Sequence, residues 1–214
     1  MGQEGHKGIS GTILEMVLDA VREAAGDHIL GKVKERAGID TLDPHAVYPP
    51  GVFLRLREAL EEYFGRGAAP ILVRVGYLVG RLIEHAYGLR EAGDWRDAVA
   101  ESLRALAPGL PVAEIWAEKS GSSLIVHMRG SVESYTGGAP RREPSCHISR
   151  GFLSYLGERL SGYRVAVDEL ECQACGADHC VFKVYLLAPR TRIRPLARRA
   201  GVARPLPGRR GPRG

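Results

Sequence analysis

Three of the four cysteines of this chain lie within nine residues, from Cys172 to Cys180, and the fourth, Cys146, lies 26 positions before Cys172. Strand-like runs flank the cluster, YRVAVDELEC before it and CVFKVYLLA after it. A fold that brings a distant cysteine to a connection between two strands is a narrow requirement. The spacing is compatible with disulfides, with a C-x-x-C redox pair or with a metal site.

The first half of the sequence predicts amphipathic helices. Apolar residues recur at helical spacing from Ile13 to Val21. Thr12 and Glu15 form a capping box at the start of this helix, and Gly26 is expected to end it before a shorter one. Further helices are predicted at 53–64, at 69–88, where a nearly all-apolar sequence indicates the buried central helix, and from an Asp94 cap to Leu106.

The second half predicts strands around one helix. VAEIWAEK and SSLIVHMR are β-rich runs separated by a Ser/Gly turn, which indicates an antiparallel hairpin. A loop is predicted at 132–145, and apolar residues four apart from Ile148 to Leu160 mark one helix face. Strands then flank the cysteine cluster. Helices followed by ββαββ predict an α+β fold in which N-terminal helices pack on one antiparallel sheet.

Composition places the chain among ordinary globular proteins. Its 214 residues are 44% hydrophobic and 26% charged, enough to bury a sizeable core. No run approaches ~18 uncharged apolar residues, so no membrane span is predicted. The N-terminal MGQEGHKGIS lacks the apolar region of a secretory signal. We therefore expect a cytoplasmic protein with reduced cysteines.

The net charge of +5 comes from the C-terminal tail. Nine of the 30 basic residues lie in residues 190–214, which hold no acidic residue, so the other 21 oppose 25 acidic residues. The tail is rich in Pro, Gly and Arg and is predicted to be disordered, with residues 1–189 forming a single domain. Its arginines could neutralise nucleic-acid phosphates, but no aromatic residue interleaves them for base stacking. A solvated extension is the alternative.

A metal site fits the cysteines better than the other two chemistries. Thioredoxin-type pairs begin a helix after a strand, whereas Cys172 and Cys175 lie in a strand-to-strand connection. Disulfides are typical of small secreted domains. Thiolates are preferred zinc ligands, and structural sites have four protein ligands. From the residues alone a four-cysteine site is the default, with Glu169, Glu171 and His179 as competing fourth ligands.

The pattern E-x-x-C-x-x-x-G-x-x-x-C-x-F, from Glu169 through Cys172, Gly176 and Cys180 to Phe182, resembles the terminal motif of the 4-vinyl reductase domain. GSVES at 130–134 resembles a G/N-S-x-E turn of that family, and Cys146-His with a glycine-bearing helix follows. The resemblance covers about residues 110–187 by motif and the helical part from about residue 10 more loosely. It implies a domain of the ligand-binding superfamily that also contains haem-NO-binding sensors and a Golgi transport subunit.

The resemblance also implies a cofactor and its ligands. In the aromatic-sensing bacterial activators of this family, three cysteines and a glutamate hold zinc. Carried over to this chain, the ligands are Cys146, Glu169, Cys172 and Cys180, with Cys175 as the alternative ligand. Four protein ligands leave no open position for water, which favours a structural role for the zinc over catalysis.

An apolar cavity between the sheet and the helices is a further implication, and its expected occupant is a small hydrophobic or aromatic molecule. The candidates to line it are Trp116, Val126, His127 and Met128 on the hairpin, with Tyr77 and Phe152 on the helices. Plain core packing is the alternative for the apolar candidates. His127 could orient a phenolic or carbonyl group.

Three functions remain open. The favoured one is a small-molecule sensing module with a structural zinc, expected to form a homodimer. A tetrapyrrole vinyl-group reductase or its accessory protein is an alternative, but no G-x-G-x-x-G follows a strand, and no catalytic residue is predicted. A DNA-associated transcriptional regulator that uses the basic tail is the third, although the sequence has neither a P-loop nor a clear helix-turn-helix motif.

Overall fold

The computed structural model describes residues 6–90 and 92–189. The helices are α1 (Gly11–Ala37), α2 (Pro50–Phe64), α3 (Ala68–Tyr87), α4 (Trp95–Leu106) and α5 (His147–Ser161). The strands are β1 (Ile9–Ser10), β2 (Val47–Tyr48), β3 (Glu114–Ser120), β4 (Ser123–Arg129), β5 (Tyr163–Glu171) and β6 (Cys180–Pro189). The tail predicted at 190–214 lies outside the described residues.

The main sheet is antiparallel throughout and has the order β3-β4-β6-β5. The predicted hairpin forms its β3–β4 edge, and the strand that follows the cysteine cluster lies between β4 and β5. Alternate residues of β4, Leu124, Val126 and Met128, face the core, as period-2 side-chain geometry requires. The predicted α+β fold with one antiparallel ββαββ sheet is confirmed.

Helix α5 connects the sheet to the other helices. It packs on β5 and β6 and also against α3, while α4 covers β3. A Cβ added to Gly76 of α3 would lie 1.9 Å from the Ile148 carbonyl oxygen, and one added to Gly151 of α5 would lie 1.9 Å from the Val73 carbonyl oxygen. These two glycines therefore set how closely α3 and α5 approach. Helices α1 and α2 form a layer beyond them.

The ends of α1 differ from the sequence prediction at one side only. Ser10 caps the helix, because its Oγ accepts a hydrogen bond from Ile13 N at 3.4 Å. Thr12 instead donates to the Pro44 carbonyl oxygen at 2.9 Å. The predicted break at Gly26 is confirmed as a kink with a φ of 79°, a region that favours glycine.

Helix α3 is less buried than its apolar sequence predicts. Leu82 and Tyr87 are 47% and 80% exposed, so its last turns extend beyond the neighbouring helices. Among the described residues, no helix combines the length and the apolar character needed to cross a membrane. Exposed apolar residues on this helix do not amount to a spanning segment.

Candidate metal centre and adjacent cavity

Four side chains converge where α5 meets the last two strands. Cys146 precedes α5, Glu169 lies near the end of β5, Cys172 follows β5 directly, and Cys180 begins β6. Each offers one ligand atom, and these atoms all lie within 4.8 Å of one another. Cys146 Sγ is 4.0 Å from Cys172 Sγ and 3.5 Å from Cys180 Sγ. These separations exceed a disulfide bond length, and all four cysteines of the chain are free thiols.

The turn between β5 and β6 brings Cys172 and Cys180 together. Gly176 has a φ of 103°, which a residue with a side chain rarely adopts, and this conformation reverses the chain after a short helical turn. Cys175 N donates to the Cys172 carbonyl oxygen, and Gln173 N donates to Cys180 Sγ at 3.3 Å. The glycine of the sequence motif therefore has a direct geometric role at this site.

Burial and mutual hydrogen bonding shift the acidity of the cluster. Hydrogen bonds from the Cys146 and Cys180 thiols lower the pKa of Cys172, and the same contacts raise the pKa of Cys146. Desolvation, together with the neighbouring Cys172, raises the pKa of Glu169 to about 8. One Glu169 oxygen, Oε2, accepts from Cys146 N at 3.1 Å, whereas the buried Oε1 has no hydrogen-bond partner among the described residues.

The competing ligands of the sequence prediction lie outside this cluster. Cys175 is half-buried in the turn, and burial with the nearby Cys172 raises its pKa to about 11. Glu171 is exposed at the end of β5. His179 points to the outer face of the sheet, where its ring meets His127. Of the ligand atoms considered from the sequence, the structure groups those of Cys146, Glu169, Cys172 and Cys180.

A buried carboxylate fixes the start of α5 beside the cluster. Glu133 is 2% exposed and accepts hydrogen bonds from Ile148 N and Ser149 N, both at 2.7 Å, and from Ser149 Oγ at 2.5 Å. It thereby caps the helix, whose N-terminal dipole favours a negative group. Desolvation raises the pKa of Glu133 to about 7, and these hydrogen bonds limit the rise. The sequence pattern GSVES contained this residue but gave it no role.

Arg57 holds the loop that leads into Cys146. Its side chain is fully buried and donates to the carbonyl oxygens of Glu133 at 2.5 Å and Tyr135 at 3.2 Å, and to Ser145 Oγ at 3.2 Å. Sequence analysis missed this residue. Its signal was an arginine on the apolar face of α2, four residues after the buried Phe53, where a charged side chain needs buried partners.

A cavity of about 40 Å³ lies between the helices and the inner face of the sheet. Helices α1, α3 and α5, strand β4 and the segments before β3 and after β4 all contribute to its wall. The wall is mostly apolar, with Ser131, Glu133 and Ser149 as its polar residues. The helix-capping carboxylate therefore lies at the same cavity, which connects the cavity wall to the start of α5.

The structure separates the six predicted pocket residues. Met128 and Phe152 line the cavity, and Val126 is buried on the same sheet face beside it. Tyr77 lies outside the cavity, where its hydroxyl donates to Glu158 at 3.0 Å. Trp116 and His127 are correctly placed on the hairpin but stack on the opposite face of the sheet, with ring centroids 4.8 Å apart. These three residues therefore do not line the cavity.

Comparisons with known proteins agree with the position of the site. The family model of the 4-vinyl reductase domain matches residues 133–186, which contain all four side chains of the cluster and Glu133. This match is shorter than the region of about 110–187 expected from the motifs. No curated protein matches the sequence.

Solved structures share the fold at low sequence identity. An unliganded Fe(II) H-NOX protein from K. algicida matches with a TM-score of 0.62 and 14% identity, over 86% of this chain and 99% of that one. An H-NOX protein from S. oneidensis in the Fe(II)NO state gives 0.60 and 12%, over 84% and 99%. The phenol-responsive sensory domain of the transcription activator PoxR, solved with phenol, gives 0.50 and 17%, over 67% and 78%.

These comparisons agree with the motif analysis on both fold and sequence. The structural matches establish the fold, and the family model covers the cysteine motif that pointed to it. The resemblance of residues 133–186 to the 4-vinyl reductase domain is thereby confirmed, on a fold that this chain shares with H-NOX and phenol-sensing domains.

Proposed function

We propose that this chain is a small-molecule-binding or sensing domain in which a structural zinc holds α5 to the last two strands. The observation that carries the proposal is the enclosed, mostly apolar cavity with a polar wall at Ser131, Glu133 and Ser149. Apolar cavities with a few convergent polar groups are the usual form of small-molecule sites. The fold shared with a domain that binds phenol in its solved structure supports the same function.

The dimensions of the cavity limit the ligand class. A volume of about 40 Å³ is well below the ~150 Å³ of an engineered apolar cavity that admits benzene. A ligand with one aromatic ring must therefore displace part of the wall. Met128 is the wall residue best suited to move, because an unbranched thioether side chain adapts its shape at low cost. The polar end of the cavity favours a hydrophobic or aromatic molecule that carries one polar group.

The iron chemistry named for the H-NOX structures does not transfer to this cavity. Protein ligands of haem iron are typically a histidine, a cysteine thiolate or a tyrosine, with methionine as a second axial partner. Among the described residues, the cavity wall contains no histidine, cysteine or tyrosine, and a macrocycle far exceeds its volume. The ligand we propose is therefore a small organic molecule.

The cysteine cluster suits zinc in both geometry and donor chemistry. With Zn–S bonds of about 2.3 Å, two thiolates of a tetrahedral site lie about 3.8 Å apart. The measured Sγ–Sγ separations of 3.5 and 4.0 Å bracket that value. A cation would also supply the missing partner of the buried Glu169 Oε1. Cys146, Glu169, Cys172 and Cys180 would hold the metal, which would supply folding energy rather than a reactive position.

A pair of substitutions on β4 tests the ligand site. Met128→Ala enlarges the cavity, whereas Val126→Ala removes volume from the same buried sheet face at a residue that does not line it. We expect Met128→Ala to bind phenol on the order of tenfold more tightly than the unmodified chain, because less wall must be displaced. Val126→Ala should leave the affinity unchanged. Isothermal titration calorimetry measures both.

Two results would contradict the ligand proposal. Phenol, benzyl alcohol and indole could all fail to bind either the unmodified chain or Met128→Ala. Alternatively, Val126→Ala could change the affinity as much as Met128→Ala does, which would place the ligand elsewhere. Elemental analysis of the freshly purified, reduced chain tests the zinc separately, with one zinc per chain expected and none contradicting it.

Three further expectations complete the proposal. A homodimer is expected from the family resemblance, and sedimentation velocity of the full chain tests it. The absence of a disulfide among the four cysteines supports a reducing location such as the cytoplasm. Nucleic-acid binding through residues 190–214 stays a prediction, tested by whether deletion of the tail abolishes salt-sensitive retention on DNA.

A further inference from the structure

The outer face of the sheet carries a second cluster of metal-ligating side chains, away from the cysteines. His127 Nδ1 lies 2.9 Å from His179 Nε2, and the His127 ring stacks on Trp116 with an interplanar angle of 2°. His127 comes from β4, and His179 immediately precedes β6, the strand that pairs with β4. The two imidazoles are therefore positioned by neighbouring strands and by an aromatic stack, and both are largely buried, with 14% and 21% of their side chains exposed.

The outward nitrogens of both rings face carboxylates. His179 Nδ1 lies 3.4 Å from Asp178 Oδ2, and His127 Nε2 lies 3.5 Å from Glu118 Oε1. A carboxylate beside one ring nitrogen favours the N–H on that nitrogen and leaves the lone pair on the other. The lone pairs of His127 Nδ1 and His179 Nε2 then point at each other across 2.9 Å, an arrangement that requires a cation between them.

The surroundings match those of a metal-bound histidine pair. Histidine ligands usually donate their second N–H to a carboxylate, which fixes the tautomer and the ring orientation. Other nearby charges are those of Glu114 and of Arg129, which pairs with Asp178 at 2.6 Å and with Glu114 at 3.0 Å, so the arginine is neutralised locally. The cluster thus keeps an excess of negative charge around the two imidazoles.

The spacing also indicates which metal fits. With metal–nitrogen bonds of about 2.0–2.1 Å, nitrogens 2.9 Å apart subtend about 90° at the metal, whereas a tetrahedral ion needs about 3.3 Å. Right angles between ligands are typical of square-planar and tetragonal Cu²⁺ and Ni²⁺ sites with nitrogen and oxygen ligands. We propose that His127 Nδ1 and His179 Nε2 form a surface site for a divalent transition metal of this kind, with water completing the coordination.

Equilibrium dialysis of the untagged full chain against Ni²⁺, followed by elemental analysis, tests this site. One Ni²⁺ per chain is expected beyond the metal of the cysteine cluster. His127→Gln and His179→Gln should each weaken Ni²⁺ binding by at least about tenfold, the lower limit for loss of even an outer-shell partner. His85→Gln removes an exposed histidine from α3 and should leave Ni²⁺ binding unchanged.

Every other outcome counts against the site. Absence of Ni²⁺ binding to the unmodified chain overturns it, and so does a loss in His85→Gln equal to the loss in the other two variants. Unchanged binding in His127→Gln and His179→Gln also overturns it. Should His127→Gln fail to fold by circular dichroism, His179→Gln in the turn before β6 decides alone. All variants keep the four cysteines, so this result is independent of what the cysteine cluster binds.

Discussion

At the residue scale, the two candidate fourth ligands of the metal site differ in where their atoms lie. Glu169 shares the cluster with three cysteines, while Cys175 lies in the turn beside it. The sequence alone left this choice open, because C-x-x-C spacing permits Cys175 as well as it permits its neighbours. Only the curl of the turn after Cys172 decides which sulfur atoms face α5.

Substitution of each candidate ligand separates the two sites. Glu169→Ala should weaken zinc binding by on the order of ten- to a hundredfold, because it leaves three thiolates and an open position. Cys175→Ser should retain the metal and the fold. Competition with a chromogenic zinc chelator measures both affinities. The reverse order of the two effects would establish a four-cysteine site.

The pocket residues show a second limit of sequence inference at this scale. Val126, His127 and Met128 were all predicted to face one cavity, although consecutive residues of a strand point to opposite faces. The structure places His127 on the outer face and its two neighbours on the inner face. Strict application of strand alternation to the predicted hairpin is enough to separate them.

Glu133 predicts a pH dependence of stability. Burial raises its folded-state pKa from 4.5 to about 7, so the folded chain retains a proton that the unfolded chain releases. Its contribution to stability is therefore present below pH 4.5 and is lost as the pH rises through about 7. In Glu133→Gln this loss is absent, so the unfolding free energy of the unmodified chain should fall relative to the variant by about 3 kcal/mol over that range.

Urea unfolding of both chains at a series of pH values provides the measurement. Taking the difference between the two chains removes contributions from all other titrating groups. Glu143→Gln, an exposed substitution in the same loop, serves as the control and should follow the unmodified chain. A constant difference between Glu133→Gln and the unmodified chain from about pH 4.5 to 8 would show that Glu133 does not titrate in this way.

At the element scale, helix and strand positions were predicted well from periodicity and turn residues. The bounds of α2, α4, α5 and the β3–β4 hairpin lie close to their predicted positions because each carries its own cap, glycine or proline signal. The short β1–β2 pairing was missed. Two residues on each side have no detectable pattern, and only tertiary contact brings Ile9 opposite Tyr48.

The close contact of α3 with α5 predicts a sharp difference between two glycines. Gly76→Ala should destabilise the fold by about 1–3 kcal/mol, because the new methyl group would collide with the Ile148 carbonyl oxygen. Gly31→Ala, on an open face of α1, should stabilise it by up to about 1 kcal/mol through helix propensity. Thermal unfolding measures both. Equal effects would mean that α3 and α5 are not held at the observed distance.

At the scale of the whole molecule, the layers explain why one sequence motif relates to a distant cavity. The cysteine cluster holds the start of α5, Glu133 caps the same turn, and the cavity wall includes Glu133 and the first two turns of α5. Periodicity could predict the helices and strands but not this arrangement. It depends on Arg57 and the loop after β4, whose contacts join residues more than 70 positions apart.

The methyl groups of methionine report most directly on whether the cavity binds a ligand. The chain has three methionines, and among the described residues Met128 lines the cavity whereas Met16 packs in the helical layer. Addition of phenol to the zinc-loaded, ¹³C-methyl-labelled chain should shift the Met128 methyl resonance through the ring current and leave that of Met16 in place. An unshifted Met128 signal at saturating phenol, or equal shifts at both methionines, would contradict a ligand site between the helices and the sheet.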